Sequence, residues 1–129
     1  MTGETDLTRL LRDMAPDLCG EDWGVAVATT VPAGLTPFAV IAEDEGLTLV
    51  APMPSLLAAG LAPQGPMARI TLRIHSSLQA VGLTAAFATA LARAGISANV
   101  IAGYHHDHIF VAAPDAARAM TVLRALSDV

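Results

Sequence analysis

The sequence predicts an α+β fold in which an antiparallel sheet carries its helices on one face, and three observations point there. Apolar residues alternate with polar ones in short runs, as at Ile70, Leu72 and Ile74, which is the period of a strand. Two alanine-rich stretches, residues 76–95 and 114–126, instead repeat their apolar residues every three to four positions, the period of a helix. From residue 67 these segments follow one another in the order β-α-β-β-α.

Each element has a local reason. In "TDLTRLLRDMAP", Leu7, Leu10, Leu11 and Met14 form one apolar stripe, Thr5 is the expected cap and Pro16 the stop. "WGVAVATT" alternates Trp23, Val25 and Val27 with small residues. "PFAVIAEDEGLTLVAP" reads as two strands joined at the turn "EDEG", so that a three-strand meander is expected. "PSLLAAGL" is a two-turn helix opened by Pro54 and closed by Gly60, and "APQGP" is punctuation. That punctuation places the boundary between two units, 1–64 and 65–129.

The second unit opens on "ARITLRIH", with Ile70, Leu72 and Ile74 on one face and Arg69, Thr71, Arg73 and His75 on the other. A long helix is expected from Ser76, which stands in capping-box spacing with Gln79. Its stripe is Leu83, Phe87, Ala90, Leu91 and Ala94, and its C-terminal cap is Gly95. "ISANVIA" and "HIFVAA" are strands flanking the "GYHHD" turn. "PDAARAMTVLRAL" closes the chain with Ala116, Ala119, Met120 and Leu123 turned inward. The order is most of a βαββαβ, ferredoxin-like unit, in which both helices lie on one face of an antiparallel sheet. The first half reads α-β-β-β-α, and the halves look like related units able to complete one another's sheets.

Composition narrows the function. The chain has 129 residues, one ordinary domain or two small ones, and a hydrophobic fraction of 53%. The uncharged run from Gly46 to Ala68 is long enough to span a bilayer but is broken by Pro52, Pro54, Gly60, Pro63, Gly65 and Pro66, so no membrane span is expected. The opening "MTGETDLTRL" is acidic where an export signal is basic, and a cytoplasmic location is expected. Cys19 is the single cysteine and a packing residue, without a partner for a disulfide or zinc. The net charge is -5, and the seven arginines run from Arg9 to Arg124 without forming a stripe, which gives nucleic acid no footprint. Few charges and many alanines suggest burial that includes a subunit interface.

Residues 68–111, "ARITLRIHSSLQAVGLTAAFATALARAGISANVIAGYHHDHIFV", closely resemble bacterial tandem ACT-domain proteins of uncharacterised function, and "PAGLTPFAVIAEDEGLTLVAP" resembles the first ACT unit of that family. The resemblance implies two tandem ACT units of ferredoxin-like fold that associate through sheet edges or helices. It also implies an amino acid or similar metabolite bound between units.

Candidate chemistry gathers in two places. The corner "IHSSLQ" holds His75, Ser76, Ser77 and Leu78. At a helix start its free N–H groups and serine hydroxyls suit a carboxylate, whereas the plain alternative is that Ser76 merely caps the helix. The segment "GYHHDHIF" packs His105, His106, Asp107 and His108 into consecutive positions, three of the chain's four histidines. In a hairpin His106 and His108 face one way and His105 and Asp107 the other, too few convergent ligands for a metal unless His75 joins them. The remaining alternatives are a solvated polar turn and a turn lining the cleft opposite the Ser76 corner of a neighbouring unit. In the last, Asp107 would meet an ammonium while Tyr104 and His106 contact the ligand's side chain and Gly103 allows close approach.

Other features carry less. Glu43, Asp44 and Glu45 form a charged turn, and Trp23 and Phe38 are expected in the core or at an interface. No Ser-His-Asp order, GxSxG, Walker or Rossmann pattern is present, so neither enzymatic activity nor a cofactor is expected. The expected function is a non-enzymatic, homodimeric sensor of an amino acid that acts on another protein chain. Two alternatives stay open, a metal protein built on His75, His106 and His108 with Asp107 behind them, and a structural interaction module.

Overall fold

The computed structural model describes residues 6–75 and 80–128. Helix α1 (Leu7–Arg12) is followed by strands β1 (Pro16–Leu18), β2 (Trp23–Ala28), β3 (Ala39–Glu43) and β4 (Gly46–Pro52) and by helix α2 (Met53–Ala58). The second half comprises β5 (Gln64–Leu72), α3 (Leu83–Arg93), β6 (Asn99–Ala102), β7 (Asp107–Ala112) and, after one turn of 3-10 helix, α4 (Ala116–Ser127).

All the strand pairings are antiparallel, and they build one sheet in the order β3-β4-β2-β5-β7-β6, with β1 also on β5. β5 is the strand common to both halves. One edge of it meets β2 at Trp23↔Met67 and then β1 at Pro16↔Leu72, while the other meets β7. Two ferredoxin-like halves result. In the second, β5, β6 and β7 carry α3 and α4, and β1 fills the place of the fourth strand; in the first, β5 is itself the fourth strand beside β2, β3 and β4. The expected three-strand meander is corrected, because β4 lies between β2 and β3. The chain leaves β2 and crosses the sheet through residues 29–38 before β3 begins, as the ferredoxin-like pattern requires.

Trp23 and Met67 are directly opposed and so share a face, which places Gly24 and Ala26 together with Ala68 and Ile70 on the other. That other face carries all the helices. Over the second half, Leu10 and Met14 join Ile70, Leu72, Phe87, Leu91, Ile109, Val111, Met120 and Leu123 in the main core. A smaller core under α2 holds Ala26, Leu49, Ala51 and Leu56. Gly24 lets α2 pack closely there, since a Cβ would run into Met53 Sδ and stand 3.1 Å from Leu56 Cδ1 and 3.3 Å from Gln64 O, so that Met53 would have to shift. Helix α1 thus belongs to the second half's core, with Leu10 fully buried and Leu7 at 38% exposure. Asp6 caps it, accepting from Arg9 N–H at 3.2 Å, and the expected cap Thr5 lies outside the described residues.

The face without helices is concave. Phe38 stands just before β3 and His108 on β7, with β4, β2 and β5 between them, about 19 Å apart in a flat sheet. Their ring centroids are 4.8 Å apart, so the sheet curls strongly toward this side. Trp23 lies 5.4 Å from Phe38 and 6.1 Å from Phe110, and the Arg69 guanidinium sits 4.8 Å from the Trp23 ring and 4.6 Å from the Phe38 ring. Thr71 is fully buried on the same face, its hydroxyl hydrogen-bonded to His108 Nδ1 at 2.9 Å.

Leu10→Ala is expected to cost about 2–5 kcal/mol and Leu7→Ala about 1 kcal/mol or less, measured by urea unfolding. Equal costs would mean that α1 is not part of the second core. His108 is held below its ordinary value of 6.5 by burial first and then by the positive charges of Arg69, His106 and Arg73. The native chain therefore binds this proton at lower pH than the unfolded chain. The stability tied to neutral His108 is present above pH 6.5 and lost as pH falls through the native value. His108→Gln is expected to flatten the stability profile in that window, and an unchanged profile would remove His108 as its source.

Candidate functional site

Strand geometry brings the end of β5 and the turn between β6 and β7 together. β5 pairs with β7 up to Thr71↔His108, and beyond it Arg73 and Ile74 donate backbone N–H groups to Ala15 and Met14 O at 3.1 and 3.5 Å. His75 is thereby carried beside residues 103–106. The turn is closed by Gly103 N–H donating to His106 O at 2.9 Å, and a Cβ on Gly103 would itself lie 2.9 Å from that oxygen, so the position needs glycine.

Four rings gather there. His75 and His105 are 5.2 Å apart, Tyr104 and His105 5.0 Å, and His106 Nδ1 lies 3.3 Å from Ile74 O. Tyr104 is 70% exposed, which leaves its face free for a ligand. Asp107 begins β7 opposite Ala102 and by strand alternation shares the helix-covered face with Ile109, whereas His108 is on the concave face. Burial pushes the Asp107 carboxyl above its ordinary range, and the charge of His106 offsets this only in part. Among the described residues this carboxylate has no hydrogen-bond or ion-pair partner. A half-buried acid whose burial is only partly offset by a neighbouring charge is complementary to an ammonium group supplied from outside the chain.

The metal alternative is not supported by this geometry. His108 is tied to Thr71 and packed on Phe38, while His75 meets His105. Among the described residues no three His, Cys, Asp or Glu side chains form a group that could hold a metal ion.

The expected helix start is corrected. Helix α3 begins at Leu83 with Gly82 as its N-cap at φ +100°, and residues 80–82 precede it without helical structure. Gly82 adopts a left-handed conformation that a helix interior cannot accept and glycine tolerates at little cost. The free N–H groups of the first turn of α3 are those of Leu83, Thr84 and Ala85. Ser76, Ser77, Leu78 and Gln79 lie outside the described residues. The legible signal was the glycine itself, in "QAVGLTAAF".

Sequence reasoning passed over the concave face. Trp23 and Phe38 had been expected in a core or interface, and they form with Arg69, His108 and Phe110 a polar-aromatic cluster there. The signal was the second face of β5, where Arg69 and Thr71 alternate with the core residues Ile70 and Leu72.

Comparison with known proteins agrees with this architecture. ACT-domain family models match residues 2–68 and residues 68–125. A protein of unknown function from Vibrio cholerae, described as a possible transport protein, is 45% identical, with 94% of this chain and 95% of that one covered and a TM-score of 0.84. A protein from Agrobacterium tumefaciens shares the fold at 16% identity, with 88% of each chain covered and a TM-score of 0.74. The ligand-free regulatory subunit of aspartate kinase from Thermus thermophilus does so at 11% identity, with 89% of this chain and 97% of that one covered and a TM-score of 0.65. No curated protein matches. Among the described residues no helix is long and apolar enough to cross a membrane. With both halves matched and the ferredoxin-like order of strands and helices in each, the chain belongs to the ACT-domain family.

Proposed function

We propose that the chain is a non-enzymatic regulatory protein that binds an amino acid or similar small zwitterion where ACT units meet, as a homodimer in the cytoplasm, and passes the signal to another protein. The observation that carries the reading is the Asp107 carboxylate, half-buried and, among the described residues, without a hydrogen-bond or ion-pair partner, next in sequence to the turn that holds the exposed Tyr104 and the rings of His105 and His106. A ligand ammonium would pair with Asp107, and Tyr104 and His106 would border the ligand's side chain. The carboxylate of the ligand falls to the connection after His75, which contains Ser76, Ser77 and Leu78. The regulatory role draws further support from the aspartate-kinase regulatory subunit, whose fold this chain shares.

The binding reading is tested by thermal and chemical stability with each of the twenty amino acids. A ligand at a hundredfold excess over its dissociation constant is expected to add about 2.7 kcal/mol. No stabilisation by any of them at millimolar concentration would overturn the reading. Asp107→Asn separates stability from binding. Because burial raises the native pKa, the native state holds this proton where the unfolded chain has lost it, and stability falls as pH rises past the native value. The amide is therefore expected to stabilise the free protein at neutral pH while weakening an ammonium-bearing ligand about tenfold or more. Unchanged affinity would remove Asp107 from the site.

A further inference from the structure

The concave face holds more than the aromatic cluster. Beside Phe110 the curled sheet encloses a half-open cleft of about 700 Å³, walled by Val25 and Val50 on the first half and by Met67, Ile101 and Phe110 on the second. Ile41 on β3 and Ile101 on β6 both border it, although these strands are the two opposite edges of the sheet. The cleft is therefore a fold of the sheet on itself, like the mouth of a barrel, rather than a patch on a flat surface. Its volume falls within the range of about 300–1,000 Å³ that small-molecule sites occupy.

Two features define what would fit. None of the described residues lining the cleft is charged, and Arg69, though on the same face, is held between Trp23 and Phe38 and is not among them. An ion placed there would lose its hydration with no counter-charge in the walls. Polar groups are present but neutral, with Gln64 at the start of β5 and Asn99 at the start of β6. These amides can fix the orientation of one hydroxyl, carbonyl or amide group on an otherwise apolar body.

We propose that this cleft is a second binding site, for a neutral and mainly apolar small molecule with a single hydrogen-bonding group. It is separate from the amino-acid reading, since Asp107 faces the opposite side of the sheet from Phe110. Phe110 is 2% exposed and forms part of the wall, and it touches Trp23, the only tryptophan of the chain. Filling the cleft changes the surroundings of that ring contact, so tryptophan fluorescence is a built-in reporter.

The test uses three probes of one shape, 1-adamantanol, adamantane-1-carboxylate and 1-adamantylammonium, titrated into the full chain and followed by fluorescence and calorimetry. The alcohol is expected to bind about tenfold or more tighter than either ion, because only the ions are desolvated without compensation. Ala112→Phe and, from the opposite rim, Ile41→Phe each place a ring in the cleft, and both are expected to weaken the alcohol about tenfold or more. Neither is expected to change the response to amino acids. Equal binding of the three probes, no binding of the alcohol, or full affinity in both filled variants that remain folded would overturn the proposal. So would a dimer that Ile41→Asp converts to monomer, because a second copy would then cover the cleft. Loss of the amino-acid response with retention of the alcohol would leave this site standing and remove the other.

Discussion

The arrangement depends on β5 having partners along both edges. Its first residues pair with β2, its last with β1, and its middle with β7, so that the fourth strand of one half is the first strand of the other. A strand paired on both sides cannot slide without exposing every core residue on it, because a shift of one residue exchanges its two faces. Ala68, Ile70 and Leu72 are all fully buried beneath α3 and α4, which fixes that register. The same register puts Arg69 and Thr71 on the concave side opposite Phe110 and His108, and it carries His75 to the turn at 103–106. Both candidate sites follow from one strand.

Curling is the second consequence. The register shifts between Trp23 and Val25 where β2 meets β5, a bulge of the kind that increases local twist. The curl is then held from inside by Phe38, whose ring touches Trp23, Phe110 and His108 and covers one side of the Arg69 guanidinium. An arginine in that position is stabilised through its flat faces, and among the described residues its Nε is buried without a hydrogen-bond partner. One end of the concave face is thus plugged by aromatic rings, and the other remains an uncharged cleft.

Much of this could be read from the residues, and the failures have definite causes. The stripes of α1 and α4 and the alternation of β2 gave correct elements because each buries mainly one face, and periodicity reports just that, whereas β4, with Leu49, Val50 and Ala51 all buried, and β5, with Thr71 buried between Ile70 and Leu72, are covered on both faces. Strand order was harder, since a connection without a helix, such as residues 29–38, looks the same whether it joins neighbours or crosses over β4. The start of α3 was misplaced because Ser76 and Gln79 satisfy a local capping rule, whereas Gly82 reports a backbone angle that only the folded chain demands. The cluster of His75, Gly103, Tyr104 and His106 was legible as a neighbourhood once the β-α-β-β order was known. The separation of Asp107 from His108 followed from alternation alone.

Moving the helix start from Ser76 to Leu83 also changes what the corner can do. β5 ends at Leu72 and α3 begins at Leu83, which leaves a stretch of ten residues of sequence between them. Both of its ends are held by the first residues of the chain. At one end Arg73 and Ile74 pair with Ala15 and Met14, and Arg73 lies 2.8 Å from Asp17; at the other, Gly82 packs so closely on Leu7 that a Cβ would stand 3.1 Å from it. Helix α1 is anchored in turn by Leu10 against α3 and α4. Both ends of that stretch are therefore clamped by the N-terminal segment. Any displacement of either end would be felt by α1 and β1, and β1 lies directly beside the strand that both halves share.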